Sequence, residues 1–453
     1  MSAKSNAGDP GRPLATDDLR AYFLGGAKPR AQFRIGIEQE KIGVLPDGRA
    51  VPYDGQRSIS AILDQLIARG FGAQREDGHV IALERNGERI TVEPGGQLEL
   101  SGATLSSARA CRDALFRHVR EVQEIATPMG IRFLGVGARP FGSLEAIPWL
   151  PKRRYTVMRS YLPSHGRLAH DMMKRTATVQ ANFDYDSEAD ATDKIRTAFG
   201  VTSIVTALFA ASPITDDRPN GFKSVRAAIW LETDDDRCGV LPFAFAPEFS
   251  FADYVEWALD VPMFFVVRDG VYQPAGGMTF RRFMRDGFGD ERPTLQDWEV
   301  HLSTLFPEVR LKKYIELRGA DAGPIPMAAG LGALWRGLLE DTEARRAAWA
   351  LVAAPGVAER LQLRRDVPRA GLGATLGGRR LSDLAVELLR IARAGLSHLG
   401  DGAADAALLD PLDAYARAGR CPADDLLADF TRTGGDPRQL IPLWELRADP
   451  PSP

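Results

Sequence analysis

Between residues 31 and 325 apolar and polar positions alternate in short runs, and from about 327 onward the apolar period lengthens to three or four. The alternating runs predict strands at "FRIGIEQEK" (33–41), on both sides of Asn86-Gly87 in "HVIALERNGERITVEPGG", and at "IRFLGVGARP" (131–140) and "TATVQANFDY" (176–185). Further strands are expected in "VRAAIWLETD", "PMFFVVRDGVYQP" and "LKKYIELRGAD". Asn86-Gly87 reads as a hairpin turn, because both residues accept positive φ. Helical spacing predicts helices over 17–25, over 58–69 with Gly70 as the stop, over 104–129 rising from Ser101 or Thr104, and over 188–211. Beyond 327, stretches such as "LSDLAVELLRIARAGL" read as helices. Interleaved strands, hairpins and helices followed by a helical tail predict an α+β fold with a mainly antiparallel sheet. Residues 1–16 are expected to form a disordered lead, and 17–453 one domain that is rich in sheet over 31–325 and helical from about 327.

Strand parity brings in the chemistry, since residues two apart point to one face. In 33–40 the set Arg34, Gly36, Glu38, Glu40 opposes Phe33, Ile35, Ile37. In 90–100 the polar set is Thr91, Glu93, Gln97, Glu99, with Pro94-Gly95-Gly96 read as a bulge within the strand. In 176–184 it is Thr176, Thr178, Gln180, Asn182, Asp184, and in 311–318 it is Lys312, Tyr314, Glu316, Arg318. If these strands share one sheet, Glu38, Glu40, Glu93, Glu99 and Glu316 crowd one face. Like charges on strands about 4.8 Å apart repel by roughly 3 kcal/mol at an effective dielectric of 20, so such a face calls for cations. The alternative is a set of separate strands with solvated charged faces, although carboxylates are poor strand formers.

Charge and composition narrow the classes. The 57 basic and 60 acidic residues leave a net charge of −3, which gives no global attraction to nucleic acid or to an anionic membrane. The longest mostly apolar run, 200–214, is too short and too polar to span a bilayer. Cys111, Cys238 and Cys421 are odd in number and lack metal-type spacing, which argues against zinc and a disulfide framework and fits a reducing compartment. With no apolar h-region at the N-terminus, a cytoplasmic protein is expected. Oxygen donors without Cys or His clusters suit Mg²⁺ or Mn²⁺, and magnesium usually accompanies phosphate. No G-x-x-x-x-G-K-[ST] is present, and "GLGATLGG" (371–378) follows no strand, so phosphate would fall to metal ions and to cations such as Arg318, Arg226, Arg237, Lys152, Arg153, Arg154 and Arg159.

The stretches "FRIGIEQEK", "VEPGGQLELSGA", "MGIRFLGVGARP", "PKRRYTVMRSYLP", "DMMKRTATVQANFDYDSEAD", "GFKSVRAAIWLETDDDRCGVLPF", "YVEWALDVPMFF" and "FPEVRLKKYIELRGADAGP" closely resemble glutamate–cysteine ligase of the plant and proteobacterial type, over about residues 17–430. The resemblance implies a glutamine-synthetase-like catalytic fold, in which a curved, mainly antiparallel sheet lines a funnel and helices pack outside. It also implies the reaction: ATP phosphorylates the γ-carboxylate of L-glutamate, and the amine of L-cysteine displaces phosphate to give γ-glutamylcysteine. By similarity the metal set is Glu38, Glu40, Glu93, Glu99, Gln180 and Glu316. Arg318 and Glu316 are the implied catalytic pair, Arg226 grips the substrate α-carboxylate, and Tyr155, Arg159, Tyr161 and Asn182 contact substrate, while Trp230 packs. The implied partners are L-glutamate, L-cysteine and ATP, in a monomer or weak homodimer. Cys111 resembles a family cysteine position but has no partner in "RRDVPRAGLGATL", so thiol switching is not expected. The competing readings are a γ-glutamyl ligase with a different amine acceptor, a hydrolase using a carboxylate pair, and an inactive metal- or nucleotide-binding protein.

Overall fold

The computed structural model describes residues 12–448, so residues 1–11 of the expected lead lie outside the described residues. Nine strands form one antiparallel sheet: β1 (Ile35–Val44), β2 (Gly72–Glu76), β3 (His79–Arg85), β4 (Glu88–Val92), β5 (Leu98–Ser101), β6 (Arg132–Leu134), β7 (Thr178–Phe183), β8 (Val309–Leu311) and β9 (Ile315–Asp321). Their order is β8-β9-β7-β1-β5-β4-β3-β2, with β6 on the far end of β1. The meander β2 to β5 is local in sequence. The pairings of β1 with β7 and of β7 with β9 join segments well over a hundred residues apart, and these bring the two halves of the acidic face together.

The helices used below are α1 (Thr16–Leu24), α2 (Ile59–Ala68), α3 (Ala108–Ala126), α4 (Arg153–Tyr161), α5 (Glu188–Leu208), α6 (Val225–Trp230), α7 (Ile325–Leu339) and α8 (Leu381–His398). One apolar core takes in Ile35 and Ile37 of β1, Val179, Ala181 and Phe183 of β7, Ile315 and Leu317 of β9, and the buried faces of α2, α3, α5, α7 and α8. α7 is apolar almost all round and buried along nearly its whole length, as expected of a helix enclosed by others. It packs on β1 closely enough that a Cβ at Gly332 would lie 3.1 Å from Ile37 Cδ1. With this layer filling one face of the sheet, the polar face is left for chemistry.

Several sequence expectations change. "VRAAIW" folds as helix α6, because the Ser224 hydroxyl accepts from the Ala227 amide as an N-cap and Val225, Ala228 and Ile229 bury at helical spacing. The segment 90–100 is a hairpin rather than one bulged strand: Glu93 N donates to Gln97 O at 2.9 Å, and Gly96 takes φ +83 to reverse the chain. Hairpin pairing sets Thr91 opposite Glu99, which keeps the expected common face. α3 starts from Ser107, whose hydroxyl caps Ala110 N, rather than from Ser101 or Thr104. Of 131–140 only Arg132–Leu134 pairs as strand, and "LKKYIELRGAD" divides into β8, a tight turn and β9. The hairpin at Asn86-Gly87 forms as read, and "PMFFVVRDGVYQP" folds as two short antiparallel strands that turn at Asp269-Gly270.

Candidate active site

Glu38 of β1 stands opposite Gln180 of β7 and Ser101 of β5, and Glu40 stands opposite Glu99 of β5, which itself faces Thr91 of β4. On the other side Asn182 of β7 lies between Gly36 of β1 and Glu316 of β9. Directly opposed residues share a face, so the register lines up Thr91, Glu99, Glu40, Glu38, Gln180, Asn182 and Glu316 across five strands. Glu93, in the turn after β4, joins at one end, where the Tyr155 hydroxyl of α4 lies 3.2 Å from its Oε1.

This band has two electrically different halves. On β1 and β5 carboxylates outnumber cations. Burial, then Glu316 and Glu99, pushes Glu38 up to about 7. Burial with Glu93 and Glu99 raises Glu40 well above the ordinary carboxylate range, and burial with Glu93 raises Glu99. Thr91 donates to the Glu99 carboxylate. Asn182 Nδ2 donates to Glu38 Oε1 at 2.9 Å, across the space left by Gly36, and Thr178 N donates to Glu40 Oε2 at 3.0 Å. Such proton-retaining oxygens are relieved by a hard divalent cation. Among the described residues no three His, Cys, Asp or Glu side chains form a ready-made metal cage. Magnesium tolerates this, because it keeps waters and takes one or two carboxylates together with substrate phosphates.

On β8 and β9 the balance reverses. Glu316 is fully buried and holds three cations: Arg310 at 2.6 Å, Arg318 at 2.8 Å and Lys312 at 3.0 Å. Burial alone would raise its pKa, but Arg310, Lys312 and Arg318 together hold it well below the usual range. Glu316, expected as a metal ligand, therefore has its lone pairs filled by the chain's own cations. Gln180, the other unusual member of that expected set, accepts from Arg318 Nη1 at 2.7 Å. The strand itself presents the arginine: pairing of β9 with β7 slips between Leu317 and Ala320, which leaves Arg318 and Gly319 opposite Gln180 alone.

Beside this bulge opens a pocket lined by Arg226, Trp230, Phe306, Glu308, Arg318 and Arg364, among others. Arg226 and Trp230 are one helical turn apart on α6, so both face it. Arg226 Nη2 donates to the Arg318 carbonyl at 2.8 Å, and its Nη1 lies 3.8 Å from Asp321, whose carboxylate is held by Ser212, Ser224 and Ala211 N. The Trp230 ring lies tilted against Phe306, with 5.7 Å between ring centroids, and its buried Nε1 has no partner.

The remaining expected residues fall elsewhere. Tyr155 is buried against Glu93 and the Val92 carbonyl, which makes it a support for a carboxylate rather than a wall of the cavity. Arg159 is exposed, its guanidinium over the Trp149 ring at 4.6 Å. The Tyr161 hydroxyl takes a bond from Arg237, which is itself fully buried and paired with Asp234. Arg153 pairs with Asp77 at the surface. Lys152, over the Tyr155 ring at 5.0 Å, is the cation of that cluster whose charge acts on Glu93 and Glu99. Sequence reading missed Arg310, although hairpin pairing sets it opposite Glu316. It also missed Lys41, a fully buried lysine behind Glu40 that bonds the Gln39 and Leu98 carbonyls and that burial lowers to about 7. Its signal was a charge at an apolar parity position of β1.

Comparison with known proteins fits this geometry. A family model described as glutamate-cysteine ligase family 2 matches residues 34–440. The chloroplastic glutamate–cysteine ligase B of rice (Oryza sativa subsp. japonica) is 43% identical over 420 residues, covering 92% of this chain and 84% of the relative. The chloroplastic enzyme of Arabidopsis thaliana is 43% identical over 438 residues, covering 96% and 83%. A solved glutamate–cysteine ligase from Francisella tularensis in complex with AMP aligns with TM-score 0.58 at 13% identity, over 91% of this chain and 87% of that one, which shows the shared glutamine-synthetase-like fold. The plant relatives are chloroplastic, which overturns the expectation of a cytoplasmic protein; cysteine usage reports a reducing milieu and does not say which compartment supplies it. No described helix is long and apolar enough to cross a membrane. A family model over most of the chain and relatives at 43% identity agree with the acidic band and its arginine: the chain belongs to glutamate–cysteine ligase family 2, the enzymes of the first step of glutathione synthesis.

Proposed function

We infer that the protein uses ATP to join the γ-carboxylate of L-glutamate to the amine of L-cysteine through a γ-glutamyl phosphate. A carboxylate is a poor electrophile, and phosphorylation turns one of its oxygens into a leaving group. Bringing ATP, glutamate and this acidic sheet together concentrates negative charge, so the chain's main work is neutralisation and positioning. The observation that carries the reading is the juxtaposition of the proton-retaining carboxylates Glu38, Glu40 and Glu99 with Arg318 on one sheet face.

Glu38, Glu40, Glu93 and Glu99 would hold Mg²⁺ or Mn²⁺, with Asn182, Thr178 N, Tyr155 and Thr91 orienting them. Such an ion, when bound, supplies charge neutralisation to the phosphates. Glu316 and Gln180 fix the Arg318 guanidinium, which would balance charge on the transferred phosphoryl group. Arg226 and the Trp230 N–H face the pocket, where they suit the α-carboxylate of glutamate. The test is phosphate release from ATP with Mg²⁺, L-glutamate and each of a panel of amines. Release is expected to require nucleotide and glutamate and to be fastest with L-cysteine; product without nucleotide, or preference for another amine, overturns the reading.

A further inference from the structure

The pocket beside Arg318 is lined by three guanidiniums, Arg226, Arg318 and Arg364, and by a single carboxylate, Glu308. A site for anions alone has no use for a carboxylate, whereas an amino acid needs one partner for its carboxylate and another for its ammonium. Glu308 is tied by its backbone into the site, since its amide donates to the Gly239 carbonyl at 2.8 Å and its carbonyl accepts from the Arg318 amide at 3.0 Å. The Arg318 carbonyl in turn accepts from Arg226, so one line of bonds fixes Glu308, Arg318 and Arg226 relative to one another. The Glu308 side chain is 18% exposed and gives one oxygen to Arg364 Nε at 2.6 Å. Arg226 is close enough to feel its charge.

Resting on the glutamate reading of this pocket, we propose that Glu308 receives the α-ammonium of the glutamate substrate, opposite Arg226 on its α-carboxylate, and so selects an α-amino acid over the corresponding hydroxy acid or plain diacid. Arg364 holds the carboxylate in place from behind. Gly239, at φ +95, keeps the space for that arginine: a Cβ there would lie 2.8 Å from the Arg364 Cζ. The three cations leave no competing anionic group in the pocket wall, so an ammonium has one place to go.

The test compares L-glutamate, L-2-hydroxyglutarate and glutarate as substrates of the full-length protein, read as ATP-dependent phosphate release with cysteine present. The intact protein is expected to prefer glutamate. Glu308→Gln should lower kcat/KM for glutamate about 10- to 100-fold, mainly through KM, and leave the two analogues nearly unchanged, which collapses the preference. Arg364→Met breaks the same ion pair but keeps the carboxylate, and should retain the preference. Loss of preference in both variants would mean a merely structural ion pair, and a preference retained in Glu308→Gln overturns the proposal outright. Should Arg226→Met leave the KM for glutamate unchanged, the pocket reading itself fails, which is a separate result.

Discussion

Arg318 donates from one nitrogen, Nη1, to both Gln180 and Glu316, at 2.7 and 2.8 Å, and so bridges β7 to β9 at the point where their register slips. Two acceptors on two strands give the guanidinium one orientation. Lysine has no planar fork with which to reproduce it. Arg318→Lys is expected to lower kcat by at least about 100-fold, the usual scale for losing a preorganised donor at a developing charge. Steady-state kinetics with saturating ATP and glutamate checks this; a kcat within tenfold of the parent would remove Arg318 from the chemistry.

The bulge also depends on Gly319. A Cβ there would lie 2.7 Å from Thr202 Oγ1 and 3.0 Å from Thr206 Oγ1 on α5, so a side chain must push the sheet from the helix. Gly319→Val should cost about 1–3 kcal/mol, seen in urea melts, and should lower kcat as well because the displaced backbone carries Arg318. Gly319→Ala should show the same signs more weakly.

Glu38 gives a pH prediction. Its folded pKa, about 7, lies above the ordinary 4.5, so the folded metal-free protein binds more protons than the unfolded chain between those values. Stability contributed by this group therefore falls as pH rises from about 4.5 to 7 and stays low above it, by up to roughly 3 kcal/mol. Glu38→Gln removes the ionisation. The variant should melt higher than the parent at pH 8 without metal, match it near pH 5, and have turnover reduced by at least about 100-fold. Equal melting shifts at both pH values would contradict the charge account.

Magnesium should act in the same direction. A cation that binds the ionised carboxylates of the folded chain stabilises it most where those groups lack protons. With ATP present, the rise in melting temperature on adding Mg²⁺ is expected to be larger at pH 8 than at pH 5.5. A shift independent of pH would separate metal binding from Glu38, Glu40 and Glu99.

Tyr155 tests support of the site without contact to substrate. Tyr155→Phe deletes the hydroxyl that touches Glu93 and the Val92 carbonyl. Stability should fall by about 1 kcal/mol, and the Mg²⁺ concentration needed for half-maximal activity should rise about three- to tenfold with little change in KM for glutamate.

Parity along individual strands already displayed the acidic face: Glu38 with Glu40, Thr91 with Glu99, Gln180 with Asn182 and Glu316 with Arg318 are two-residue or hairpin relations, set by the local pleat. Local signals also announced the hairpins and the apolar helices, because turn chemistry and periodicity are short-range. They misread "VRAAIW", where a serine cap and the packing of Val225 and Ile229 outweigh the β-branched, aromatic composition. The sequence by itself therefore determined which side chains share a face within each strand, and the long blocks of family resemblance determined the reaction. Only the tertiary structure decided the rest. Pairing of β1 with β7 and of β7 with β9 closes loops of well over a hundred residues, and no local rule fixes which strands become neighbours or where a register slips. That choice gave Glu316 to three cations, left Glu38, Glu40 and Glu99 short of positive charge, and placed Glu308 among the arginines of the pocket.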